Sequence, residues 1–405
     1  MNTSSKQQAE KIFACILVCI ALANGLGDGI FSNYFNEVFH INSVQRGFIE
    51  VPRESPGVLC MVVVAALGFL GTVRMTIVSQ ILSLIGLVVL GFFSPSYGVM
   101  LVFLFIHSLG SHLFMPLNDS ISMSLASTGK EGATLGKFKG VTTMGSMIAA
   151  CLVFVGFRTG IFTFQSKKIL PFILASGFLA LALLLLFLFL RITKTEETVK
   201  NHRLLFRKRY LPYYVLTLAY GCQKRIRIIF APWVIIKLLE QGADTVALLT
   251  IATHFMGTLV APAIGRMLDR LGTRKMLCIE AGYIAVAFSA MGLLSGMLAD
   301  GTLSKSGPQT FLVFGAYILC ILFEQFNMVH SFMMRSIALD KSEVTRTLSV
   351  GLSVDHIMAI IASPIMGLIW ESLGVQYVFY LAALSAAFQL IAASMTKRSL
   401  SVSAS

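Results

Sequence analysis

Charge is the scarcest ingredient of this chain. Lys and Arg number 32 and Asp and Glu 19, together 13% of 405 residues, whereas soluble domains carry about 25%. A soluble globular domain is excluded, because it needs a charged outer face to stay in water. Other absences narrow the function. No GxxxxGK[ST] run occurs, so the chain carries no phosphate-cradling loop for ATP drive. The seven cysteines, Cys15, Cys19, Cys60, Cys151, Cys222, Cys278 and Cys320, form no CxxC pair and no Cys/His metal spacing. They read as reduced, small hydrophobes inside helices, with no cofactor or resident metal expected. No Ser/His/Asp or paired metal-ligand spacing stands out in the loops, which argues against an enzyme.

What is abundant is apolar sequence: 56% of residues are hydrophobic, and the mean hydropathy is +0.81. This is the composition of an all-α membrane protein crossing the bilayer many times. The net charge of +13 does not point to nucleic acid, because the basic residues sit in short loops between apolar runs; the expected surroundings are lipid. A bilayer core of about 30 Å needs around 20 apolar helical residues. Such runs are expected near 12–36, 44–70, 75–95, 98–123, 135–157 and 170–190, and again near 210–238, 245–268, 275–298, 310–336, 347–371 and 375–396. Runs this long in lipid must be helices, which satisfy their own backbone groups. The polar opening MNTSSKQQAEK precedes a run too long for a signal-peptide core, so the first span is expected to be retained.

Twelve transmembrane helices in two sets of six suggest an N-terminal half, 1–190, a cytoplasmic linker, 191–209, and a C-terminal half, 210–405. Equivalent spans keep an offset of roughly 200 residues, the pattern of a duplicated, pseudo-symmetric architecture. Orientation follows from basic loops. Lys6, Lys11, Arg74, Lys130, Lys137, Lys139, Arg203, Arg207, Lys208, Arg209, Arg270, Arg274, Lys275, Lys341, Arg346, Lys397 and Arg398 alternate with loops carrying only Arg158, Lys167, Lys168, Lys237 and Lys305. Both termini are therefore expected in the cytoplasm, at a plasma membrane.

Between the runs at 245–268 and 275–298 stands GRMLDRLGTRK, Gly265 to Lys275. It resembles the G-x-x-x-D-R-x-G-R-R/K loop signature of the major facilitator superfamily, matching at Gly265, Asp269, Arg270, Gly272, Arg274 and Lys275. The resemblance implies the twelve-helix superfamily fold, no enzymatic activity, a small-molecule substrate and alternating access. It also implies that Asp269 and the loop cations pair with neighbouring helix ends and hold an inner gate shut. The first-half counterpart, GFLGTVRM, keeps Gly68 and Leu70 but is expected to place Thr72 where the acid belongs. The resemblance further implies that spans 1, 4, 7 and 10 line a central cavity and that spans 3, 6, 9 and 12 face lipid. Spans 3, 6 and 12 carry no charge, and span 9 carries only Glu280, near its cytoplasmic end.

The charges inside apolar runs are the candidate site. YGCQKRIRIIFAPW places Lys224, Arg225 and Arg227 within four residues, although each costs roughly 2.5–3.5 kcal/mol at a helix centre. They require polar surroundings, met either by a substrate or by counter-ions among Asp28, Glu324 and Asp355. Lys224 and Arg227 share a helix face; Arg225 is rotated by about 100° and reads as structural. ILFEQFNMVHS sets Glu324, Asn327 and His330 at three-residue steps, a polar stripe on one face. Substrate contacts are expected from Asp28, Lys224, Arg227, Glu324, Asn327 and His330. Proton-carrying candidates are Glu324, Asp355, His356, Glu50 and Glu54, and Arg53 in EVPRESPG joins the gate.

The expectation is a monomeric, proton-coupled importer of a small anionic or zwitterionic metabolite. A drug/proton antiporter, a sugar transporter and a non-transporting nutrient sensor are the alternatives. Exporters of the superfamily usually carry a Gly-Pro motif on span 5, and LGKFKGVTTMGSMIAACLVFVGF contains no proline. The sensor reading lacks the long cytoplasmic extensions it calls for.

Overall fold

A computed structural model describes residues 3–39, 43–94, 96–162, 170–193, 206–241 and 243–396. Among these the regular structure is helical throughout. The chain runs through α1 (Thr3–Phe39), α2 (Ser43–Ala66), α3 (Thr72–Phe92), α4 (Tyr97–Leu125), α5 (Glu131–Arg158), α6 (Leu170–Thr193), α7 (Leu211–Arg225), α8 (Ala231–Trp233) and α9 (Ala243–Ala299). It ends with α10 (Thr310–Leu322), α11 (Asn327–Ile337), α12 (Lys341–Ser372), α13 (Val375–Leu384) and α14 (Ala387–Met395). Nine helices among the described residues are long and apolar enough to cross a membrane. The runs expected near 44–70 and 210–238 are not among the nine; both carry charge clusters. Of the expected linker 191–209, residues 194–205 lie outside the described set, as do Lys167, Lys168, Arg203, Lys397 and Arg398 of the loop cations.

α6 shows why water is the wrong solvent. It buries Phe172, Ala175, Leu179, Ala182 and Leu186 on one face, while Ile173, Leu181, Leu184, Phe187 and Leu188 are exposed on the other. A helix apolar all round is stable only with lipid or protein on every side. α9 makes a second point. Its apolar stretch, Thr245–Ala299, runs for 55 residues, or roughly 80 Å at 1.5 Å per residue, more than twice the bilayer core. The run is broken at Gly272, where φ is 74° and ψ 166°, a left-handed backbone that glycine adopts without a Cβ clash.

The described residues gather into two compact units. The first draws on Met1–Ser127, Lys137–Leu205 and Asp340–Ser353. Its interior is aromatic: Phe13 meets Phe138 edge-on at 5.1 Å, and the Tyr34 hydroxyl donates to the Leu90 carbonyl. The α3–α4 crossing is made by small residues, since Gly86 lies against His107 and Gly110 against Ser79 and Ser83. Backbones approach this closely in membranes only where side chains are small.

The second unit draws on Thr128–Gly136, Phe206–Leu339 and Val354–Ser405. Here the first turns of α5 lie against α9: a Cβ added at Gly136 would sit 2.6 Å from the Ala261 carbonyl oxygen and 2.9 Å from the Gly265 Cα. Both obstacles are backbone and cannot swing aside. Gly136→Val should therefore destabilise the folded protein by roughly 1–3 kcal/mol, read as a lower melting temperature in detergent; unchanged melting would mean the crossing is looser than this. Outside the spans, Lys305 donates to Glu240 at 2.6 Å. That hydrogen bond, with the lysine's charge, holds the Glu240 carboxyl below its ordinary value. The contact is present at neutral pH and lost as pH falls through that lowered value.

Candidate functional site

The three cations of YGCQKRIRIIF fall on a rod that changes pitch. α7 gives way to a π-helical segment, Ile226–Phe230, then to the short α8, then to a second π segment, Val234–Leu238. Pro232 lies within this stretch and has no N–H to offer a regular ladder, and wide turns of this kind recur at functional sites. Arg227 occupies the first of them. Its side chain is 6% exposed, and its Nη1 donates to Glu324 Oε2 at 3.0 Å. Lys224 donates to Asp355 Oδ2 at 3.2 Å and to His356 Nε2 at 3.3 Å. An ammonium can only donate, so the His356 Nε2 accepts and that ring carries its proton on Nδ1 when neutral. Of the counter-ions considered for these cations, Glu324 takes Arg227 and Asp355 takes Lys224. Arg225 is buried on another face, at 5% exposure.

Two of the unanswered atoms here are opposite in kind. Arg227 Nε and Asp355 Oδ1 are buried and have no hydrogen-bond partner among the described residues. Unpaired buried donors and acceptors cost about 1–3 kcal/mol each. One is a cationic donor and the other an anionic acceptor. Glu324, by contrast, keeps 38% of its side chain exposed, so the carboxylate is the accessible end of its pair.

Glu324 and His330, expected on one polar stripe with Asn327, go to different partners. Phe323–Phe326 is a 3-10 turn between α10 and α11, in which residues three apart eclipse, so the divergence lies in the partners the side chains take. Glu324 turns to Arg227, Asn327 is half-buried at the start of α11, and His330 turns to Glu280 on α9, with Nε2 to Oε1 at 2.8 Å. Glu280 is 0% exposed. It therefore does not sit among lipid-facing residues, and it is the member of this cluster that sequence reasoning passed over. Its signal was its isolation: a lone acid in an otherwise uncharged span must find a partner or be neutral.

In the first unit, Arg53 on α2 lies between two acids, with Nη2 at 2.6 Å from Glu50 Oε2 and 2.7 Å from Glu54 Oε1. Pro52 and Pro56 stand inside the same helix. The Arg53 carbonyl accepts the Ser108 hydroxyl of α4. Asp28 on α1 is accessible at its surface and feels the charges of Arg53, His107 and Glu54.

The loop motif has a concrete partner. Asp269 Oδ1 accepts the Gly132 N–H and Oδ2 accepts the Ala133 N–H, both at 2.7 Å. The carboxylate thus serves the first turn of α5, where unpaired N–H groups and the helix dipole both favour an anion. Gly265 allows the approach, since an added Cβ would meet the Gly132 carbonyl. Arg270, Arg274 and Lys275 are exposed. The first-half copy needs a correction. Gly71, at φ 80° and ψ 166°, has nearly the conformation of Gly272. Superposing the two turns puts Leu-Gly-Thr 70–72 on 271–273. Thr72 is then the counterpart of Thr273, and the position of the missing acid is Gly68.

No family model matches the chain, and no curated protein matches it in sequence. Solved structures do. The E. coli fucose:proton symporter FucP is 16% identical, with a TM-score of 0.70 over 97% of this chain and 100% of that one. The human organic anion transporter MFSD10 (TETRAN) is 12% identical, with a TM-score of 0.70 over 96% and 99%. A bacterial homologue of the iron transporter ferroportin, in its outward-facing state, is 12% identical, with a TM-score of 0.74 over 95% and 98%. At these identities the likeness is one of fold, and the fold of this chain is that of the major facilitator superfamily transporters.

Proposed function

We propose that the chain is a secondary transporter working by alternating access, with twelve spans in two halves, 1–190 and 210–405, joined by the linker 191–209. It imports a small anionic or zwitterionic metabolite together with protons, as a monomer in the plasma membrane with both termini cytoplasmic. The observation that carries this reading is the pair of opposite, unanswered atoms, Arg227 Nε and Asp355 Oδ1. A ligand carboxylate would complete the guanidinium, and a ligand ammonium would complete the carboxylate. Coupling follows from competition. A carboxylate arriving at Arg227 displaces Glu324, and the released side chain, no longer facing a cation, takes up a proton. Asp355, beside Lys224 and His356, is the second carrier of the same kind. Asp28, Arg53, Glu50 and Glu54 are the polar groups of the first half, and the Asp269 latch acts in switching. A fold held in common with a fucose:proton symporter and an organic anion transporter supports both parts of the reading.

The test is uptake into proteoliposomes under an imposed pH gradient, using labelled small carboxylates, amino acids and neutral sugars after a thermal-shift screen. Uptake of carboxylates or zwitterions that collapses when the gradient is dissipated is the expected result. Uptake of neutral sugars alone would make the cation pairs a structural network and assign the polar groups to an uncharged substrate.

A further inference from the structure

We propose that Glu280 and His330 form a second proton-binding site, separate from Glu324 and Asp355, that is sealed from water in this conformation. The two residues are 0% and 2% exposed. Glu280 stands eight residues beyond the Gly272 break, roughly 12 Å along α9. One hydrogen bond, His330 Nε2 to Glu280 Oε1 at 2.8 Å, joins them. The far atoms of both, Glu280 Oε2 and His330 Nδ1, are buried with no partner among the described residues. The Tyr220 ring closes the imidazole edge-on at 5.5 Å and 89°.

This pair differs in kind from its neighbours. In Arg227–Glu324 and Lys224–Asp355 the cation keeps its own protons, so the carboxylate stays ionised for as long as the pair stands. Glu280 and His330 instead share one proton, which sits on Nε2 as an ion pair or on Oε1 as two neutral groups. Removing it leaves a carboxylate beside a neutral imidazole, a net negative charge; adding another leaves a net positive one. Either is costly at zero exposure, so the sealed arrangement holds one proton, and gain or loss requires the pair to open to water.

The elements packed against the pair do not supply a replacement counter-charge by direct contact. Among the described residues, Tyr220 of α7 faces the pair, Arg227 of the π segment is already on Glu324, and α14, which packs on α9, carries no titratable side chain. The ligand is a proton rather than a sodium ion, since hard cations take several oxygen ligands and this pocket offers one carboxylate beside an imidazole.

The experiment is infrared difference spectroscopy of the purified full-length protein in lipid, titrated from alkaline to acidic pH and read at the protonated-carboxyl stretch. The wild type should show a buried carboxyl signal that Glu280→Gln removes and Glu324→Gln leaves in place. His330→Gln, which retains a hydrogen-bonding amide but cannot share a proton, should shift the midpoint of that signal by about one pH unit or more, tenfold in proton affinity. A wild-type spectrum without the signal, its survival in Glu280→Gln, or an unmoved midpoint in His330→Gln would overturn the proposal. Should Glu280→Gln fail to fold, the His330→Gln midpoint decides alone. The spectrum needs no substrate, so a protein inert in uptake with this signal intact would refute the transport reading and leave the site standing.

Discussion

Replacing Arg227 by Ala is expected to abolish binding of small carboxylates, while Glu324→Gln keeps binding and loses its dependence on pH. The guanidinium is nearly inaccessible, at 6% exposure, and its one ion pair is to a carboxylate that is 38% exposed. Losing the cation from a charge pair with a bound ligand costs roughly 2–5 kcal/mol, on the order of thirtyfold or more in affinity at about 1.4 kcal/mol per decade. Lys224→Ala should act in the same direction through Asp355. The neutral glutamine at 324 can still accept a hydrogen bond from Arg227 but cannot take up a proton when displaced, so affinity should become flat across the pH range in which the wild type varies. Equilibrium binding of a labelled carboxylate at several pH values reads both effects. Normal binding in Arg227→Ala and Lys224→Ala would remove these cations from recognition.

Asp269→Asn should cut transport strongly and leave substrate binding largely intact. Each carboxylate oxygen of Asp269 holds one backbone N–H, at 2.7 Å to Gly132 and 2.7 Å to Ala133. Asparagine keeps one acceptor and substitutes an NH₂ that faces an N–H donor, so one bond is lost and the other loses its charge. Hydrogen bonds to charged groups contribute about 1.5–3 kcal/mol, and the attraction to the helix terminus adds to that. The lesion is remote from Arg227 and Asp355, so it belongs to switching and not to recognition. Parallel measurements of initial uptake rate and equilibrium binding separate the two; uptake at the wild-type rate would take the loop motif out of the mechanism.

These two sites were legible in the sequence to different depths. GRMLDRLGTRK identified Asp269 as an acid at a loop where an anion is useful, but its partners are backbone N–H groups of Gly132 and Ala133, and backbone donors leave no mark in a sequence. Lys224 and Arg227 announced themselves by their cost in an apolar run. Which acid each would meet depended on how helices far apart in sequence pack, so Glu324 and Asp355 stood among several candidates. The stripe of Glu324, Asn327 and His330 could be drawn from spacing, but which partner its ends would take, Arg227 or Glu280, depends on helices far apart in sequence. Glu280 was set down only as the one charge of span 9, near its cytoplasmic end, and its burial gives it a role that the spacing did not. Thr72 was misplaced because the short first-half loop was matched by residue order, when the shared left-handed glycine sets the register.

The paired wide turns on either side of Pro232 also bear on how a charge buried this deeply can be moved. A π turn is an α-helix holding one surplus residue, and the surplus can pass to a neighbouring turn by exchange of a single hydrogen bond. Each such step reorients one side chain by about 100°, while the rod above and below keeps its place. Arg227 lies inside the first of the two turns. The surplus residue of that turn thus sets the direction in which the guanidinium leaves the rod toward Glu324.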